Sequence, residues 1–527
     1  MKYTIKRFIE SLRWSSVVFA GLTSSGALGQ GVDPADFALT PTDSWPTYHG
    51  DYSGLRHSTL TDITPENVHT LTLAWVFQSN PSQTIKGTPI VHDGVMYVTV
   101  VDNLWALDAR TGRQIWRYQY PQNEGFSIGH RGVAIAGDSV YLTTRDAHLL
   151  SLNAIDGSVQ WEVEIADSNR GYWSTNAPLV VDNHLIVGVS GDFDNLPGVL
   201  RSFDTETGEL QWTFYSTPPP GTPDSISGGA TGGQMWMTGT YDPELNLVYV
   251  GTGNPTPVLN GPFRPGDNKW TGSIVALNPD TGELVWGFQI MPHDTHDWDA
   301  AEVPVLVDAE FDGEERKLLM QASRNGYFAV LDRETGENLL TRPFARVNWA
   351  ERIEEDGRPI PAPDKEPARD GRLVSPDEGG GTNYRSPSFD PEEGLLIVSA
   401  ADAFGLYFYK PEHGNYGWAG ASPGVLSHGW LRAIDYRTGD IRWEKDLHGG
   451  AGAAGVLTTA TGVTFTGDSA SSAIALRTSD GATLWHSRIG RVGNSPITYE
   501  LDGRQYVVMG GGSAVYAFAL AEKLVSD

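Results

Sequence analysis

The sequence predicts an all-β fold: an eight-bladed β-propeller of four-stranded antiparallel blades. Three observations support this prediction. An eleven-residue pattern that usually ends in Trp recurs along the chain, Gly (61) and Pro (32) are plentiful, and Trp (17) is unusually frequent. Turn-forming and aromatic residues in such numbers are typical of β-rich proteins. We take the repeat first, because a repeating unit determines the architecture of the whole chain.

The repeat has seven recognisable copies. Six end in Trp: ALDARTGRQIW (106–116), SLNAIDGSVQW (151–161), SFDTETGELQW (202–212), ALNPDTGELVW (276–286), AIDYRTGDIRW (433–443) and ALRTSDGATLW (475–485). The seventh, VLDRETGENLL (330–340), lacks the terminal Trp. The strand-like segment LTLAWVFQ (71–78) brings the expected number of blades to eight.

Each copy predicts two strands joined by a tight turn. The first residues end one strand, the polar residues that close in Thr-Gly or Asp-Gly form the turn, and the segment that reaches Trp begins the next strand. Another hairpin lies upstream of most copies, as in VHDGVMYVTVVDNLWALD (91–108). One such sheet cannot bury both of its faces, whereas sheets repeated radially can. Separate β-sandwiches are the alternative, and the regularity of the repeat argues against them.

The N-terminal segment 1–29 is typical of a secretory signal peptide. A basic region with four Lys and Arg residues precedes a short apolar run, and the sequence A-L-G at 27–29 is a suitable cleavage site. A membrane anchor is the alternative, but the run is short and rich in Ser and Gly. We therefore expect a periplasmic protein with no membrane span in the mature chain and one propeller domain over residues 30–527. The charged stretch 351–372 is expected to form a surface loop between blades.

Charge and cysteine content exclude several classes of function. The formal net charge of −28 argues against a nucleic-acid partner, since the phosphate backbone requires Lys and Arg. The chain has no Cys, which excludes disulfides, Cys-ligated zinc, Cys-ligated iron–sulfur clusters and a covalent c-type haem.

The densest group of candidate functional residues is MPHDTHDWDAAE (291–302), with two His, three Asp and one Glu. Taken alone, this stretch has three interpretations: a solvated loop, a zinc site formed by His293, His296 and Asp297, or a segment that supplies a catalytic base. Pro292 and the lack of a helical pattern leave the zinc geometry unsupported. The other two interpretations stay open from these residues alone.

The Trp-terminated repeats resemble the docking motifs of eight-bladed quinoprotein dehydrogenases. The resemblance extends from VFQSNPSQTIKGTPIVHDGVMYV (76–98) through VGNSPITYELDGRQYVVMGGG (492–512). The family consists of periplasmic enzymes that use pyrroloquinoline quinone (PQQ) and a metal ion to oxidise alcohols or sugars. Because non-enzymatic propellers share the repeats, the motifs that face the axis are the more specific part of the resemblance.

Two of these motifs supply three candidate residues. In MWMTGTYDPELNLVYVGTGNPTP (235–257), Trp236 precedes Asn254 by eighteen residues. At this spacing the resemblance implies that the Trp236 indole lies flat beneath PQQ and that Asn254 binds the metal through its side-chain oxygen. In QASRNGYFAVLDRETG (321–336), it implies that Arg324 bonds the reactive carbonyl region of the quinone, where a guanidinium stabilises developing charge.

Weaker matches supply further cofactor contacts. Arg131, in SIGHRGVAIAGDSVYL (127–142), lies where the family has an Arg that pairs with a cofactor carboxylate. Thr175 and Ser190, in GYWSTNAPLVVDNHLIVGVSGDF (171–193), match two positions that hydrogen-bond the cofactor. Small hydroxyl residues are common in loops, so these two matches are individually weak.

The resemblance also interprets the acidic stretch. The segment PHDTHDWD, from Pro292, matches the family segment that supplies the catalytic base, and Asp297 falls on that base. It would accept the hydroxyl proton as hydride leaves the substrate for the quinone, while the metal acts as a Lewis acid. Asp297 is also expected to contact the metal, and Asp299 shares a face with it if the segment is a strand. In some relatives an Asp at position 299 accompanies a lanthanide and in others calcium, so both metals stay open.

Three departures from the family pattern concern the same site. Alcohol-oxidising relatives often have an adjacent Cys–Cys disulfide over the quinone, and here Gly125-Phe126 takes its place, so Phe126 is expected to cover the quinone by stacking. A metal-binding Glu of the family aligns with Phe193, which leaves Asp192 or Asp194 as the substitute ligand or implies an altered metal site. A Glu that touches the cofactor aligns with Lys86, which can pair with one of the three carboxylates of PQQ.

The expected function is that of a PQQ-dependent alcohol dehydrogenase. Its cofactors would be PQQ and Ca²⁺ or a lanthanide, and an external acceptor such as a soluble cytochrome c would take the electrons, because this chain has no haem segment. Two alternatives stay open: a PQQ enzyme for sugars or polyols, and a non-catalytic propeller for assembly at the bacterial envelope.

Overall fold

The structure, a computed structural model, describes residues 31–80, 83–121, 126, 128–193, 195–219, 221–222, 231–411, 417–449 and 454–521. Residues 31–527 form one compact unit. The expected signal peptide, 1–29, lies outside the described residues, so the peptide and the domain boundary at residue 30 stay predictions. No helix in the described part of the chain has the length and apolar character needed to cross a membrane.

The described residues form eight sheets of four or more strands, and each sheet is one blade. We number the blades along the chain and give their strands from the innermost to the outermost. Blades 1 to 4 consist of Ile90–His92, Val95–Val100, Asn103–Asp108 and Gln114–Gln119; Ala134–Ala136, Ser139–Thr143, His148–Asn153 and Val159–Glu164; Leu179–Val181, His184–Gly188, Val199–Asp204 and Leu210–Tyr215; and Thr240–Asp242, Leu247–Gly251, Ser273–Leu277 and Leu284–Gln289.

The second half of the chain repeats this architecture. Blades 5 to 8 consist of Val305–Phe311, Glu314–Ala322, Tyr327–Asp332 and Asn338–Pro343; Ser388–Asp390, Leu395–Tyr409, Gly424–Asp435 and Ile441–Asp446; Leu457–Thr459, Val463–Gly467, Ser472–Arg477 and Thr483–Arg488; and Ile497–Leu501, Arg504–Gly511, Ala514–Leu520 and Leu71–Gln78. Blade 6 also contains Arg372–Val374 and Gly420–Ala421, and His57–Ser58 pairs in parallel with blade 7.

Blade 8 closes the ring by joining the two ends of the propeller. Its outer strand, Leu71–Gln78, pairs antiparallel with Ala514–Leu520, so that Leu71 lies opposite Leu520. The predicted eighth blade is therefore confirmed, and the early segment 71–78 belongs to it. Pairing across this joint leaves no open seam between the first and last parts of the ring.

Trp residues in the outer strands dock most blades onto the following one. Trp116 of blade 1 donates from Nε1 to the carbonyl of Ala154 in blade 2 at 2.9 Å, and its ring lies against Gly157. A Cβ atom at Gly157 would come within 2.6 Å of that ring. The same packing recurs in the pairs Trp75 and Gly112, Trp161 and Gly208, Trp212 and Gly282, Trp286 and Gly336, and Trp443 and Gly481. In the copy without Trp, Leu340 and Arg342 lie against Gly439 instead.

Shorter elements connect the blades. The described residues include the 3₁₀ helices Pro34–Ala38, Val68–Thr70, Ser168–Arg170, Gly261–Phe263 and Pro363–Lys365, and the two-stranded pairs Thr231–Gly232 with Pro255–Thr256 and Ala350–Ile353 with Pro359–Pro361. The charged stretch 351–372 connects blades 5 and 6, as expected. It is not wholly a surface loop, because Glu366 accepts a hydrogen bond from Thr295 at 2.8 Å in the acidic stretch.

Blade geometry brings the candidate residues to one end of the propeller. In a four-stranded antiparallel blade, the loop that leads into the inner strand and the turn between the second and third strands lie at the same end. Candidates of the first kind are Lys86, Arg131, Thr175, Trp236, Asp297 and Asp299, and those of the second kind are Ser190, Asp192, Asn254 and Arg324.

Candidate active site

Trp236 provides a flat surface at this end of the propeller. Its partly buried indole packs against a cluster that includes Tyr48 and Met237. The Cζ atom of Arg131 lies 4.5 Å from the centroid of the Trp236 ring, so a planar group already stacks on the indole face. Arg131 is 4% exposed; it donates to Oγ1 of Thr175, and its Nε has no partner among the described residues.

Asp299 connects three of the predicted site residues. Its Oδ2 accepts hydrogen bonds from Nε1 of Trp236 at 3.0 Å and from Nη1 of Arg324 at 2.6 Å. Its Oδ1 accepts a hydrogen bond from the backbone N–H of Asn254 at 2.7 Å. The stacking surface, the basic group and the expected metal ligand are therefore fixed relative to one another through a single carboxylate.

Arg324 also holds the expected base. Its Nη2 donates to Oδ2 of Asp297 at 2.9 Å and to the carbonyl of Glu378 at 2.5 Å. Asp297 and Asp299 thus converge on one guanidinium. The strand explanation for this convergence is wrong, because residues 297–299 belong to no strand and Asp297 has a φ of 69°. The fork of the guanidinium, which matches carboxylates well, brings the two side chains together.

The left-handed backbone of Asp297 is supported by Asp294. The carboxylate of Asp294 accepts hydrogen bonds from the backbone N–H groups of His296 (3.1 Å), Asp297 (3.0 Å) and Trp298 (3.1 Å). Arg264, fully buried, donates to the carbonyl of Asp294. An uncommon backbone conformation persists where surrounding contacts fix it, and here those contacts fix the direction of the Asp297 carboxylate.

The site concentrates negative charge around one cation. Burial raises the pKa of the Asp297 carboxyl well above its usual value; Arg324 opposes the shift, and Asp299, Asp192 and Glu378 add to it. Burial and the neighbouring Asp299 also raise the pKa of Asp192, to about 6. Burial alone would lower the pKa of Arg324, but the negative charges of Asp299 and Asp297 raise it above its usual value, so the guanidinium stays charged.

The two histidines of the acidic stretch are committed elsewhere. His296 is buried and stacks on Trp298 with ring centroids 4.4 Å apart, and its Nε2 contacts the carbonyl of Lys365 at 3.0 Å. His293 contacts the carbonyl of Gly266 through Nδ1 at 2.8 Å. Among the described residues, no group of three or more His, Cys, Asp or Glu side chains is gathered to hold a metal ion. These contacts argue against the zinc interpretation.

Comparison with known proteins identifies the family. Residues 45–347 match the family described as glucose/ethanol/alcohol dehydrogenase, β-propeller domain, of the PQQ type. The quinohemoprotein alcohol dehydrogenase ADH IIB of Pseudomonas putida is 33% identical over 97% of this chain and 80% of its own length. The chain belongs to the PQQ-dependent alcohol dehydrogenase family.

Two further relatives of this family extend the comparison. The crystal structure of the quinohemoprotein alcohol dehydrogenase of Comamonas testosteroni superposes with a TM-score of 0.86 at 31% identity, over 93% of this chain and 83% of that one. The lanthanide-dependent methanol dehydrogenase of Methylacidiphilum fumariolicum is 30% identical over 96% of this chain and 91% of its own length. Residues 427–523 also match the outer membrane protein assembly factor BamB. That match lies outside the segment that holds Trp236, Asp297, Asp299 and Arg324.

The residues present fit the PQQ of the dehydrogenase family. The indole of Trp236 accepts a planar group on its face, as the stacked guanidinium of Arg131 demonstrates. The unpartnered Nε of Arg131 is a donor available to a cofactor carboxylate. Thr175 is fixed by its hydrogen bond with Arg131, and Ser190 pairs through its backbone with Trp173 at 2.8 and 3.2 Å. Lys86 lies 5.7 Å from the ring of Tyr384, which Arg131 also approaches to 5.5 Å.

The side chains expected to bind the metal carry oxygen atoms, which suit a hard cation. Asp297, Asp299 and Asn254 offer oxygen atoms within one hydrogen-bonded group, and Asp192 interacts electrostatically with Asp299. Arg324 lies between Asp297 and Asp299 and supplies the positive charge there.

The two substitute ligands differ in what the structure describes. Asp192 adds to the negative charge around Asp297 and Asp299. Asp194 lies outside the described residues, and its role stays a prediction. Phe193, in the place of the family's Glu, is 39% exposed. Phe126 is 60% exposed, with its ring edge-on to Trp173 at a centroid distance of 5.1 Å. Its proposed stacking over the quinone stays a prediction.

Sequence reasoning missed several residues of this site. Glu302 is buried next to Arg324, neither of its carboxyl oxygens has a partner in the described part of the chain, and burial raises its pKa well above the usual value. Asp294 lies within the acidic stretch, but no local pattern indicates that its carboxylate supports the backbone of Asp297. Tyr384 and Arg385 lie in the loop that leads into the inner strand of blade 6. Their place matches that of Arg131 before blade 2, so alignment of these loops across the repeats would have identified them.

Proposed function

We propose that this chain is a PQQ-dependent dehydrogenase that oxidises an alcohol to an aldehyde or ketone by hydride transfer. The observation that carries the proposal is the shared carboxylate of Asp299, which joins Trp236, Arg324 and Asn254. A non-catalytic propeller has no need for a stacking surface, a charged guanidinium and an adjacent carboxylate at one point on its axis.

Each side chain has a distinct task in this proposal. When bound, PQQ supplies the acceptor for two electrons as hydride, and a hard cation supplies a Lewis acid beside it. Trp236 supports the planar ring, and Arg131, Thr175, Ser190 and Lys86 orient its polar edge. Asp297 accepts the proton of the substrate hydroxyl as the carbon–hydrogen bond breaks.

Arg324 is a positioning and stabilising residue for this reaction. Its fork holds Asp297 at 2.9 Å and Asp299 at 2.6 Å, which limits the rotation of both carboxylates. Its positive charge also favours the ionised form of Asp297 that a base requires, against the effect of burial. The carboxylate can therefore accept a proton although it is buried.

The metal and its ligands are part of the proposal. Asn254, Asp297 and Asp299 would bind Ca²⁺ or a lanthanide, with Asp192 or Asp194 in place of the Glu that Phe193 replaces. The methanol dehydrogenase of Methylacidiphilum fumariolicum is named as lanthanide-dependent. For this chain, activity with Ca²⁺ and none with La³⁺ or Ce³⁺ would eliminate the lanthanide.

Periplasmic location and the electron acceptor are proposed on sequence grounds. The N-terminal segment 1–29 has the pattern of an export signal. The chain has no Cys and therefore no covalent c-type haem, so a separate acceptor such as a soluble cytochrome c is proposed to take the electrons.

Reconstitution tests the proposal. Purified protein is incubated with PQQ and Ca²⁺, La³⁺ or Ce³⁺, and dye-linked oxidation is measured with a panel of alcohols, sugars and polyols. We expect alcohol oxidation that depends on PQQ and on one class of metal. Absence of PQQ binding with every metal would refute the enzyme proposal, and a preference for sugars would favour the alternative substrate class.

The base is tested separately with Asp297→Asn. An amide cannot accept the substrate proton, so we expect kcat to fall by about 10²- to 10⁴-fold while PQQ still binds. The exposed Asp370→Asn is the matched control. Full activity of Asp297→Asn would rule out Asp297 as the base. The proposal that the chain binds PQQ would still stand.

A further inference from the structure

Four cationic side chains gather beside the stacking surface, and we call Lys86, Arg131, Arg385 and Arg491 the basic patch. Three of them surround one ring: Arg385, Arg131 and Lys86 lie 5.0, 5.5 and 5.7 Å from the centroid of Tyr384. Arg491 is exposed and close enough to act electrostatically on Lys86 and Arg385. The patch is unusual in a chain whose formal net charge is −28.

The basic patch has little counter-charge among the described residues, where Asp299 acts electrostatically on Arg131 from beyond ion-pair distance. None of its four members forms an ion pair with a carboxylate within the described ranges of the chain. Lys86 donates to the carbonyl of Ile128 and Arg131 to Thr175, both neutral acceptors. The Nε atoms of Arg131 and Arg385 are buried and have no partner among the described residues. Arg131 is buried and Lys86 and Arg385 are partly buried. Partly desolvated cations without a paired carboxylate are unfavourable, so an anion bound there would be stabilised.

The patch is assembled from four separate loops. Lys86, Arg131, Arg385 and Arg491 precede the inner strands of blades 1, 2, 6 and 8. Arg131 belongs both to the basic patch and to the stacking surface, because its guanidinium lies over Trp236 and beside Tyr384. Asp297 and Asp299, held by Arg324, give the site its negative side. A ligand on Trp236 therefore meets positive charge on one side and carboxylates on the other.

We propose that the basic patch is a carboxylate-binding site for a ligand that lies on the face of Trp236. The inference rests on the proposed function and extends it, since the proposed function orients the cofactor with Arg131 and Lys86 and assigns no role to Arg385 or Arg491. The carboxylate has two sources: PQQ itself, or an acid group on a hydroxy-acid substrate. Guanidinium groups suit either one, because their planar fork matches carboxylate geometry.

The electrostatics of the patch agree with this assignment. Burial lowers the pKa of the Lys86 ammonium, and the charges of Arg131, Arg385 and Arg491 lower it further against the opposing effect of Tyr384. Burial likewise lowers the pKa of Arg385, and Arg491 adds to that effect. The cations repel one another, and a bound carboxylate relieves this repulsion.

The first arm of the test measures PQQ affinity. Apo-protein is titrated with PQQ in chelator, without metal, by quenching of Trp fluorescence, for wild type, Lys86→Met and Arg385→Met. If PQQ supplies the carboxylate, each variant binds at least tenfold more weakly and with a smaller dependence on salt. Lys86→Arg retains the affinity, and Lys445→Met, which removes a charge from the outer strand of blade 6, leaves it unchanged.

The second arm measures substrate choice in the PQQ-loaded enzyme. The ratio of kcat/KM for 4-hydroxybutanoate to that for 1-butanol compares an acid with a neutral alcohol of the same length. If the substrate supplies the carboxylate, wild type favours the acid, and Lys86→Met and Arg385→Met lose this preference at least tenfold with unchanged PQQ affinity. Variants that match Lys445→Met in both arms, with wild-type thermal unfolding, overturn the inference and leave the proposed function intact.

Failure of the proposed function gives a different result. Wild type then binds no PQQ, either in chelator or with Ca²⁺, La³⁺ or Ce³⁺, and a benzene tricarboxylate serves as the probe in a thermal-shift assay. Stabilisation of wild type, but not of Lys86→Met or Arg385→Met, supports a carboxylate site in a protein that is not a PQQ enzyme. No stabilisation of wild type overturns the inference as well.

Discussion

At the scale of single residues, the site depends on contacts that fix otherwise mobile carboxylates. Asp299 accepts hydrogen bonds from Trp236, Arg324 and Asn254, and Asp294 caps the turn that places Asp297. The sequence predicted Asp297 and Asp299 as site residues from their motif, but it could not predict that a guanidinium between them brings their carboxylates together. Glu302 could not be predicted as a buried acid, because no local sequence pattern distinguishes a buried acid from a surface one.

The charge around Asp297 predicts a pH dependence. In the metal-free protein, burial and the negative charges of Asp299, Asp192 and Glu378 raise its pKa, so this carboxyl is protonated over a wider range of acid pH than an ordinary aspartate. We expect its titration in the metal-free protein, followed by carboxyl NMR, to have a limb above the usual aspartate pKa of about 3.9. Asp192→Asn removes one of these charges and should shift the limb to lower pH. A limb that stays in place would contradict this account.

Phe126 provides a second prediction at this scale. Its exposed ring lies edge-on to Trp173, in the part of the chain where relatives have a disulfide lid. If the ring covers the bound quinone, Phe126→Ala loses a stacking contact worth about 1 kcal/mol and weakens PQQ binding roughly fivefold. Leu210→Ala, at an exposed apolar position on the outer strand of blade 3, is the control for fluorescence titration. Equal affinities in the two variants would count against a covering role.

At the scale of elements, the Thr-Gly or Asp-Gly turn serves two purposes. The sequence predicts its Gly from the positive φ of a tight turn, and the structure confirms this, with φ of 72° at Gly282. The second purpose is visible only between blades, because Gly282 lies directly under the ring of Trp212 from the preceding blade. The turn of one repeat therefore contacts the preceding blade, whereas its Trp contacts the following blade.

A pair of glycines separates these purposes. In Gly282→Ala, the Cβ atom would approach the Trp212 ring to 2.5 Å, whereas Gly313, with φ of 82°, has no heavy atom within 4 Å of such a position. Gly313→Ala should cost about 1–2 kcal/mol from backbone strain alone. Gly282→Ala should cost a further 1–3 kcal/mol, on the order of other overpacked sites. Urea unfolding measures both, and equal losses would exclude the docking contribution.

At the scale of the whole molecule, closure of the ring creates the site. The N-terminal strand Leu71–Gln78 completes blade 8. Arg56 donates from Nε at 3.2 Å to the carbonyl of Val456, which immediately precedes the inner strand of blade 7. Only in the closed ring do loops from blades 1, 2, 6 and 8 meet as the basic patch. The expected metal ligands Asp192, Asn254, Asp297 and Asp299 come from the loops of blades 3, 4 and 5.

The buried acids predict how stability of the metal-free protein changes with pH. The pKa of Asp294 is raised to about 7 and that of Asp192 to about 6, mainly by burial. At acid pH these two carboxyls hold protons more tightly in the folded protein than in the unfolded chain, which stabilises the folded protein. This stabilisation is lost as pH rises through about 6 and 7. We therefore expect Tm to increase when the pH falls from about 7.5 to 5, in the same direction as the relief of net negative charge.

A variant isolates the local contribution to this pH effect. Asp294→Asn removes the most strongly shifted of the two groups and should flatten the dependence of Tm on pH. The exposed Asp370→Asn changes net charge equally and should leave the dependence unchanged. Calorimetry between about pH 5 and 7.5 compares the three proteins, and identical slopes would show that net charge alone causes the effect.

The sequence by itself determined the repeat, the all-β fold and the eight blades, and it indicated Trp236, Arg324 and Asp297 as candidate site residues, because each depends on a local pattern of turns, spacing or motif. Only the tertiary structure decided which charges meet. Trp236 and Asp299 are 63 residues apart in the chain, and Arg324 and Asp297 are 27 apart. The basic patch extends from Lys86 in blade 1's loop to Arg491 in that of blade 8. Contacts over such separations depend on how the blades close into a ring, and no periodicity within a single repeat specifies that closure.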